Sequence, residues 1–236
     1  MTVVNSVSAV FPCYNDAETI GGLVDDVYAA LTPLVPDVEV IVVNDGSADN
    51  SRATLDSMKH DRPWLRVIHH ETNGGYGKAL LSGFGAAQNE WIFYTDGDAQ
   101  YDARESALLV AMATDDIDLV QGYKIGRGDP WHRKLIGRVY HHVVKQLFSL
   151  KVRDTDCDFR LFRRKLIIDR PLTSTSGVIC VEMMRSFDRA GARFVETPVH
   201  HYFRPFGKSQ FFRLPAIARS ARQLLALWWH MVIHGR

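Results

Sequence analysis

Two aspartates separated by one glycine are the residues best suited to metal chemistry in this sequence. They belong to the run Asp96-Gly97-Asp98-x-Gln100, which directly follows the aromatic stretch 91–95. Gly97 lets the backbone bend so that both carboxylates turn towards one point, and Gln100 adds a neutral oxygen. Hard oxygen ligands in this number suit Mg²⁺ or Mn²⁺, which share their coordination with water and phosphate. The alternative is an acidic turn after an edge strand, since Asp-x-Asp is a short pattern.

Polar residues also follow the first two predicted strands and could contact a nucleotide. After the first strand comes Pro12-Cys13-Tyr14-Asn15-Asp16, and after the second comes Asn44-Asp45-Gly46-Ser47. A carboxylate at the end of an early strand can accept hydrogen bonds from a nucleobase or ribose, and Asp45 is placed in this way. The alternative for Asp45 is a turn residue, because Asp-Gly-Ser favours turns by itself.

A glycine-rich loop follows the third predicted strand, with the sequence Asn73-Gly74-Gly75-Tyr76-Gly77-Lys78-Ala79. It lacks the spacing of a P-loop, and a dinucleotide fingerprint would follow the first strand instead. A helix that begins in such a loop can still present backbone N–H groups, such as that of Gly75, and Lys78 to donor phosphates or base.

The elements that must position these residues follow from the hydrophobic pattern. Short β-branched runs alternate with segments of helical period up to residue 123, which predicts βαβ units and a mostly parallel sheet. The predicted strands are residues 7–11, 39–43, 65–69, 91–95 and 118–122, and the predicted helices are residues 18–31, 50–60, 77–89 and 104–113. Ligands bind outside the carboxyl ends of such strands, so the motifs should meet at one edge. Beyond residue 126 the alternation fails, and the second half is predicted to be irregular.

The composition favours one large α/β domain without a role in nucleic-acid binding. The chain has 236 residues, is 46% hydrophobic and carries a formal charge of +1. It can bury a full core and has no excess of basic residues for nucleic acid. Three scattered cysteines exclude a disulfide framework and favour a reducing compartment, the cytosol. We expect no signal peptide and no membrane span, since no apolar run reaches the roughly 20 residues that a bilayer requires.

Basic residues cluster after the last predicted strand and could bind an acceptor phosphate. They are Lys124, Arg127, Arg133, Lys134 and Arg138. Arginine forks match phosphate oxygens well, although a solvated basic helix face is an alternative. A four-residue apolar repeat in the same stretch indicates either the core contact of a helix or a lipid contact. Its members are Leu135, Val139, Val143 and Leu147.

The C-terminal residues suit an amphipathic helix at a membrane interface. Arg219 and Arg222 precede the run 224–229, which combines leucines with two tryptophans. Basic residues beside tryptophans and leucines are typical of helices that lie in the interface. The alternatives are a terminal helix packed on its own domain and a dimer contact. We therefore divide the chain into an α/β domain, residues 1–212, and this helix, residues 213–236.

Several short motifs follow one another along nearly the whole chain. They are Pro12-x-Tyr14-Asn15, Asp45-Gly46-Ser47, the loop 73–79, Asp96-Gly97-Asp98-x-Gln100, Asp156-Cys157-Asp158-Phe159-Arg160, Glu196-Thr197-Pro198 and Arg204-Pro205-Phe206-Gly207-Lys208-Ser209. In this order they resemble the motifs of family 2 glycosyltransferases. Within that family the chain is most similar to the branch of dolichol-phosphate mannosyltransferases and bacterial polyprenol-phosphate glycosyltransferases.

The resemblance implies the GT-A fold, a Rossmann-like sheet flanked by helices, and an inverting transfer from a GDP- or UDP-sugar. It also implies a Mg²⁺ or Mn²⁺ ion held by Asp96, Asp98 and Gln100. By residue matching, Asp45 and the segment 12–16 would contact the base and ribose, and Arg204 with Ser209 the diphosphate. The family often has two acids where this chain has Asn44 and Asp45, which bears on base preference. The candidate substrate-binding residues are therefore Pro12, Tyr14, Asn15, Asp16, Asn44, Asp45, Gly75, Lys78, Gly97, Arg127, Arg133, Glu182, Lys208 and Ser209.

The acceptor decides what activates the nucleophile. A sugar hydroxyl needs a general base, for which Asp156, Asp158 and Glu182 are candidates, whereas a phosphate monoester is already anionic. Arg204 and the metal ion would stabilise the leaving diphosphate. The basic cluster favours phosphate, so the leading hypothesis is hexose transfer to a polyprenyl phosphate at the cytoplasmic face of a membrane. The alternatives are a soluble enzyme acting on a sugar, peptide or small-molecule hydroxyl, and a non-catalytic nucleotide-sugar or membrane-binding module. A homo-oligomer is compatible with each of them.

Overall fold

One mixed sheet organises the chain. The computed structural model describes the backbone of residues 4–126, 131–204 and 214–235, and their side chains except those of residues 131–136 and 214–217. The strands are β1 (Ser6–Cys13), β2 (Asp37–Asp45), β3 (Leu65–His70), β4 (Trp91–Tyr94), β5 (Leu119–Ile125), β6 (Arg160–Arg163) and β7 (Phe194–His200). The α-helices are α1 (Ile20–Leu31), α2 (Ser51–Met58), α3 (Tyr76–Ala86), α4 (Ser106–Met112), α5 (Trp131–Phe148), α6 (Lys165–Ile168), α7 (Ile179–Arg189) and α8 (Leu214–Trp228).

The strand order creates a crevice beside β1. The strands lie in the order β3-β2-β1-β4-β6-β5-β7, and neighbours are parallel except where β6 is involved. The five predicted strands and the four predicted helices between them are confirmed, with boundaries shifted by a few residues. The chain proceeds from β1 outwards to β3 and then returns to β4 on the other side of β1. Such a reversal separates the loops that follow β1 and β4, and ligands of open α/β sheets bind between them.

The expectation of an irregular second half is wrong. β6 and β7 extend the sheet, and β6 inserts antiparallel between β4 and β5 so that Arg160 lies opposite Tyr94. β6 has only four residues and begins and ends with arginine, so no alternating pattern reveals it. Because it is antiparallel, β6 starts at the edge where β4 ends, and the residues before Arg160 reach the crevice.

Hydrophobic side chains cover both faces of the sheet, because successive strand residues point to opposite sides. On one face, Phe11 and Val42 belong to a buried cluster with residues of α1 and α4. On the other face, Val10 and Ile41 belong to a second cluster with residues of α3, α5, α7 and α8. The two clusters hold the strand ends in place and thereby fix where the loops after them begin.

Helix α5 keeps part of its apolar surface outside the core. Val144 and Phe148 are fully buried, whereas Val139 and Val143 are exposed. The prediction that the four-residue repeat contacts the core is therefore wrong for Val139 and Val143. The buried residues Val144 and Phe148 each follow a repeat position by one residue.

Helix α8 continues directly into a π-helical turn (Trp229–Ile233), and the two together have two apolar faces, called here the faces of α8. Its inner face packs on the second core cluster through Leu224, Leu227, Trp228 and Val232. The alternative of a helix packed on its own domain thus holds for this face. Its outer face carries Leu225, Trp229 and Ile233 at four-residue spacing, and these side chains are 50–58% exposed. Within residues 4–126, 131–204 and 214–235, no helix is both long and apolar enough to span a bilayer.

Candidate active site

The Asp96-Gly97-Asp98 turn lies in the crevice between β1 and β4. A Cβ added at Gly97 would lie 2.7 Å from the carbonyl oxygen of Pro12 and 3.6 Å from Asp16 Oδ2. The Gly97 carbonyl accepts a hydrogen bond of 2.7 Å from the Thr19 hydroxyl. Glycine is thus required here by close approach of the chain after β1. This contact brings the first and the fourth strand-end motifs together, as the sequence predicts.

Two carboxylates and one arginine meet at this turn. Arg204 Nη2 lies 3.4 Å from Asp98 Oδ2 and 3.3 Å from Asp16 Oδ1. Asp98 Oδ1 accepts a hydrogen bond of 3.0 Å from the backbone N–H of Gln100. The Gln100 amide nitrogen donates to the carbonyl of Tyr202 at 3.2 Å. The structure therefore brings together residues that lie far apart in the sequence and that the motif match assigned to the donor site.

Asp96 receives a hydrogen bond from a residue that is not among those predicted. The Tyr76 hydroxyl donates to Asp96 Oδ1 at 2.7 Å. Tyr76 is the first residue of α3 and stands between Gly75 and Gly77 in the glycine loop. An aromatic hydroxyl flanked by two glycines is the sequence signal that could have identified it.

Burial raises the pKa values of the aspartates in this cluster. Burial raises the pKa of Asp96 well above its usual range, and the charges of Asp158 and Asp98 add to the rise. Burial also raises the pKa of Asp98 and of Asp16, although Arg204 opposes the rise at both. Without a bound cation these carboxyls therefore take up protons more readily than ordinary aspartates, and perturbed carboxyls in a crevice indicate a functional site.

The donor atoms of this cluster suit a divalent ion. Mg²⁺ is usually bound by one or two carboxylates together with substrate phosphates, and Asp96 and Asp98 provide such a pair. Arg204 already places positive charge against Asp98, and its Nε is buried without a hydrogen-bond partner among the described residues. In the part of the chain that the structure describes, no group of three or more His, Cys, Asp or Glu side chains is arranged to hold a metal ion.

Asp45 lies at the predicted strand end but is occupied by the protein itself. Its Oδ1 accepts from the Gly74 N–H at 2.9 Å and its Oδ2 from the Gly75 N–H at 2.8 Å. His70 Nδ1 lies 2.6 Å from Asp45 Oδ1. This geometry does not support the expected contact with base or ribose, nor a phosphate contact by the Gly75 N–H. Asp45 instead holds the glycine loop against the end of β2.

Asn44 is equally committed to the fold. Its side chain points to the other side of β2, is buried, and contacts His69 Nδ1 at 3.0 Å. Its Oδ1 accepts from the Ser47 N–H at 3.1 Å. The prediction that Asn44 influences base preference through a direct contact is therefore not supported, because both ends of its amide have partners.

The loop after β1 is stabilised from the loop after β2. Asn15 has a φ of 57°, and its Oδ1 accepts from the Ala48 N–H at 2.8 Å. Its own N–H donates to the Ser47 hydroxyl at 3.0 Å. Tyr14 is exposed, and its N–H donates to Asp16 Oδ2 at 3.1 Å. Asn15 thus joins the two loops, while the side chain of Tyr14 is exposed and accessible to a ligand.

Glu182 holds a second loop in place. Its Oε1 accepts from the Thr173 N–H and hydroxyl at 2.9 and 2.8 Å, and its Oε2 from the Ser174 N–H at 2.8 Å. The loop 173–176 in turn contacts the glycine loop, where the Thr175 carbonyl accepts from the Lys78 N–H at 3.2 Å. Lys78 itself is exposed, which leaves its ammonium group accessible. Both oxygens of Glu182 have partners within the fold, so Glu182 is a structural link between two loops, and its role as a base or substrate ligand stays a prediction.

Lys124 is turned into the protein and not towards an acceptor. Its Nζ donates to the Asp156 carbonyl, and its N–H donates to Asp154 Oδ2 at 3.1 Å. Although burial acts to lower it, the charges of Asp154 and neighbouring acids raise the pKa of Lys124. Lys124 is therefore an internal cation of the loop that carries Asp156, which corrects its assignment to the acceptor phosphate.

Asp158 and Arg160 form a buried link between β4 and β6. Asp158 Oδ1 accepts from Arg160 Nη1 at 3.3 Å and from the Cys180 thiol at 3.1 Å. Arg160 is fully buried, donates to the Tyr94 hydroxyl, and contacts Gln121 Oε1 at 2.6 Å. These partners commit Asp158 to the fold and make it a poor general base. Asp156 keeps its place as a candidate.

Some predicted residues lie outside the described parts of the chain. They are Arg127, Lys208 and Ser209, together with the side chain of Arg133. Arg138, from the same basic cluster, is exposed on α5.

Comparison with known sequences gives one family and related enzymes. The family described as Glycosyl transferase family 2 matches residues 8–170. The chain is 30% identical over 210 residues to an undecaprenyl-phosphate 4-deoxy-4-formamido-L-arabinose transferase from Enterobacter sp. (strain 638), covering 88% of this chain and 63% of that protein. The enzyme of the same name from Yersinia pestis bv. Antiqua (strain Angola) gives the same identity and coverage. The chain thus spans less than two thirds of the length of these relatives.

Comparison with solved structures gives the fold. Glucosyl-3-phosphoglycerate synthase from Mycobacterium tuberculosis, in complex with Mn²⁺, uridine diphosphate and glucosyl-3-phosphoglycerate, has a TM-score of 0.73 at 19% identity. The match covers 96% of this chain and 79% of that one. The predicted α/β fold of the GT-A type is therefore confirmed.

Proposed function

Because the chain belongs to glycosyl transferase family 2, we propose that it is a metal-dependent glycosyltransferase that moves a hexose from a nucleotide sugar to a polyprenyl phosphate. One observation carries the proposal: Arg204 contacts both Asp98 and Asp16 in the crevice beside β1. A cation against half-buried carboxylates in a crevice is an arrangement that suits a charged diphosphate and its metal ion. The names of the relatives, which are undecaprenyl-phosphate sugar transferases, support the acceptor class.

The proposed ion site uses Asp96 and Asp98, with the Gln100 oxygen as a further ligand. Mg²⁺ or Mn²⁺ bound there would neutralise charge on the leaving diphosphate. The Mn²⁺ and uridine diphosphate in the structural neighbour support both the ion and a nucleoside diphosphate donor. Arg204 would exchange part of its contact with Asp98 for the diphosphate oxygens, since a guanidinium matches phosphate geometry well.

The proposed reaction is a single inverting displacement. The bond between the sugar C1 and the diphosphate oxygen breaks, and an acceptor phosphate oxygen forms a bond to C1 from the opposite face. The nucleoside diphosphate leaves with the electron pair of the broken bond. The attacking oxygen is already anionic, so no proton has to be removed. The occupied carboxylates of Glu182 and Asp158 agree with a reaction that needs no general base.

The acceptor assay should compare lipids that differ only in the phosphate. We expect the chain with Mn²⁺ to transfer hexose from a GDP- or UDP-sugar to a short polyprenyl phosphate, but not to the corresponding polyprenol. Chelation of the metal should stop the reaction. Faster transfer to free sugars or peptides than to the lipid phosphate would favour the soluble alternative. Binding of the nucleotide sugar without transfer to any acceptor would favour a non-catalytic module.

We further propose that the outer face of α8 contacts the cytoplasmic surface of a membrane. Leu225, Trp229 and Ile233 form an exposed apolar stripe, and Arg222 lies exposed one turn before it. Such a combination suits the interface between lipid headgroups and acyl chains. The exposed valines of α5 offer more apolar surface on the same side of the sheet as α8.

Vesicle flotation tests this contact. The full chain should float with vesicles that contain anionic lipid, and the double variant Leu225→Ser, Ile233→Ser should remain in the soluble fraction. Leu108→Ser is the matched control, because Leu108 is an exposed leucine on α4, which packs on the opposite face of the sheet. If the wild-type chain does not float but sediments as a dimer that the double variant abolishes, the stripe is a dimer contact instead.

A further inference from the structure

Tyr76 connects the glycine loop to the carboxylate pair through one short hydrogen bond. Its hydroxyl donates to Asp96 Oδ1 at 2.7 Å, and its ring packs against the core cluster on the α3 side of the sheet. A carboxylate with one oxygen held in this way cannot rotate freely. Its second oxygen is then the atom that remains for a ligand.

The position of Tyr76 is fixed by the glycines on either side of it. Gly75 has a φ of 96°, and a Cβ there would lie 2.8 Å from the carbonyl oxygen of Thr175. A Cβ at Gly77 would lie 2.6 Å from the carbonyl carbon of Thr175 and closer still to the carbonyl oxygen of Ser174. The backbone around Tyr76 therefore lies directly against the loop 173–176, and any larger residue would push the two apart.

The loop 173–176 is itself held by Glu182, and the glycine loop by Asp45. Glu182 accepts three hydrogen bonds from Thr173 and Ser174, and Asp45 accepts the N–H groups of Gly74 and Gly75. The start of α3 is thus held between two buried acids on different elements. Tyr76 is the side chain that carries this rigidity to Asp96.

We propose that Tyr76 is a positioning residue for the metal ion at Asp96 and Asp98, an inference that rests on the proposed function. Its hydroxyl orients Asp96 so that one carboxylate oxygen stays directed to the ion. Hydrogen bonds from outer residues to metal-ligating groups are generally worth about 10–100-fold in metal affinity or activity. Tyr76 supplies such a bond from a rigid helix start, and Glu182 supports it through the loop 173–176.

Calorimetric titration with Mn²⁺, in the absence and presence of UDP or GDP, tests the proposal. Tyr76→Phe removes only the hydroxyl and should weaken Mn²⁺ binding about 10-fold or more. The Mn²⁺ concentration for half-maximal turnover should rise by the same factor, while kcat at saturating Mn²⁺ returns close to the wild-type value. Tyr28→Phe is the control, because Tyr28 stacks on Trp64 on the opposite face of the sheet and should bind Mn²⁺ unchanged.

Two outcomes separate this inference from the proposed function. If Tyr76→Phe binds Mn²⁺ as the wild type does while Asp98→Ala loses binding, the positioning role is wrong and the metal site stands. If the wild-type chain neither binds Mn²⁺ nor transfers sugar, the proposed function fails and the inference fails with it.

A double-mutant cycle tests the support from Glu182. Glu182→Gln should weaken Mn²⁺ binding although this residue contacts neither proposed ligand, since it loosens the loop 173–176. Combined with Tyr76→Phe, it should add little, because both changes interrupt the same path. Fully additive losses would show that Glu182 acts independently of Tyr76 and would overturn that part of the proposal.

Discussion

Two kinds of acid lie at the same edge of the sheet and differ in what surrounds them: Asp45 is buried, whereas Asp16, Asp96 and Asp98 are half-buried. Asp45 accepts hydrogen bonds from two backbone N–H groups and contacts His70, so its oxygens have partners within the fold. Asp98 instead lies near both Asp96 and Asp16, and the neighbouring cations are Arg204 at Asp16 and Asp98 and Lys124 at Asp96. The first arrangement holds a loop in place, whereas the second leaves carboxyl oxygens that a cationic ligand can use.

The difference between the two groups shows that the position of an aspartate after a strand does not by itself predict its role. Asp45 and Asp96 both come directly after a parallel strand, where ligands of such sheets bind. Their hydrogen-bond partners decide which carboxylate serves the fold and which serves a ligand. A substitution in the first group should therefore reduce stability, and a substitution in the second should reduce activity.

The largest expected effect is the loss of transfer in Asp98→Ala. Removing a group that holds charge-stabilising contacts for the leaving group typically lowers kcat by about 10²–10³-fold. The fold should persist, because among the described residues Asp98 accepts one backbone hydrogen bond, from the Gln100 N–H, and otherwise pairs with Arg204. Steady-state turnover with Mn²⁺ measures the loss, and Asp116→Ala, at an exposed aspartate bonded to Thr114, is the control. Turnover close to wild type would remove Asp98 from the metal site.

A smaller effect, on stability and not on activity, is expected from Asp45→Ala. The change leaves the N–H groups of Gly74 and Gly75 without their acceptor; a buried orphaned donor costs about 1–3 kcal/mol, and these two part-buried donors should each cost less than the upper end of that range. We expect the free energy of unfolding to fall by about 2–4 kcal/mol in urea titrations. Asp25→Ala, which removes an exposed pair with Arg62, should change it by less than about 1 kcal/mol. Unchanged stability with lost nucleotide binding would restore the direct base contact predicted from the sequence.

The five strands β1 to β5 could be predicted because each contains a short stretch rich in β-branched or aromatic residues, and segments of helical period separate these stretches. Strand β6 could not be predicted, because it contains the buried Arg160. The guanidinium of Arg160 contacts Gln121, Tyr94 and Asp158, which come close to it only in the folded protein. β7 carries Pro198 and lies at the end of the sheet, where a missing N–H is tolerated. Sequence periodicity does not reveal strands whose polar residues are satisfied by distant partners.

The candidate site could be predicted only in outline, from the order of the motifs along the chain. The motifs place Asp16, Asp98 and Arg204 near the donor, and the fold brings them within ion-pair distance. The sequence could not reveal that the glycine loop supplies its N–H groups to Asp45, because strand-end position says where a carboxylate lies and not what it contacts. Tyr76 was missed because its role depends on the distance across the crevice to Asp96.

The smallest effect is a gain of stability in Asp96→Asn, measured without metal. Burial raises the pKa of Asp96 in the folded protein, so the native state favours the protonated form. Stability from this group is then fully present below the pKa of the unfolded chain and is lost as the pH rises through the folded pKa. Asparagine resembles the protonated form, so the variant should have a higher Tm than the wild type near neutral pH. The difference should shrink as the pH falls towards about 4, the ordinary range of aspartate.

No such gain of stability is expected at an aspartate outside the cluster. The hydrogen bond from the Thr114 hydroxyl lowers the pKa of Asp116, so Asp116→Asn should give no gain at neutral pH. Addition of Mn²⁺ with UDP or GDP should reverse the order at Asp96, because the ligand stabilises by mass action only the protein that binds it. A variant that is less stable than the wild type at every pH without metal would mean that Asp96 belongs with Asp45, among the acids that hold the fold.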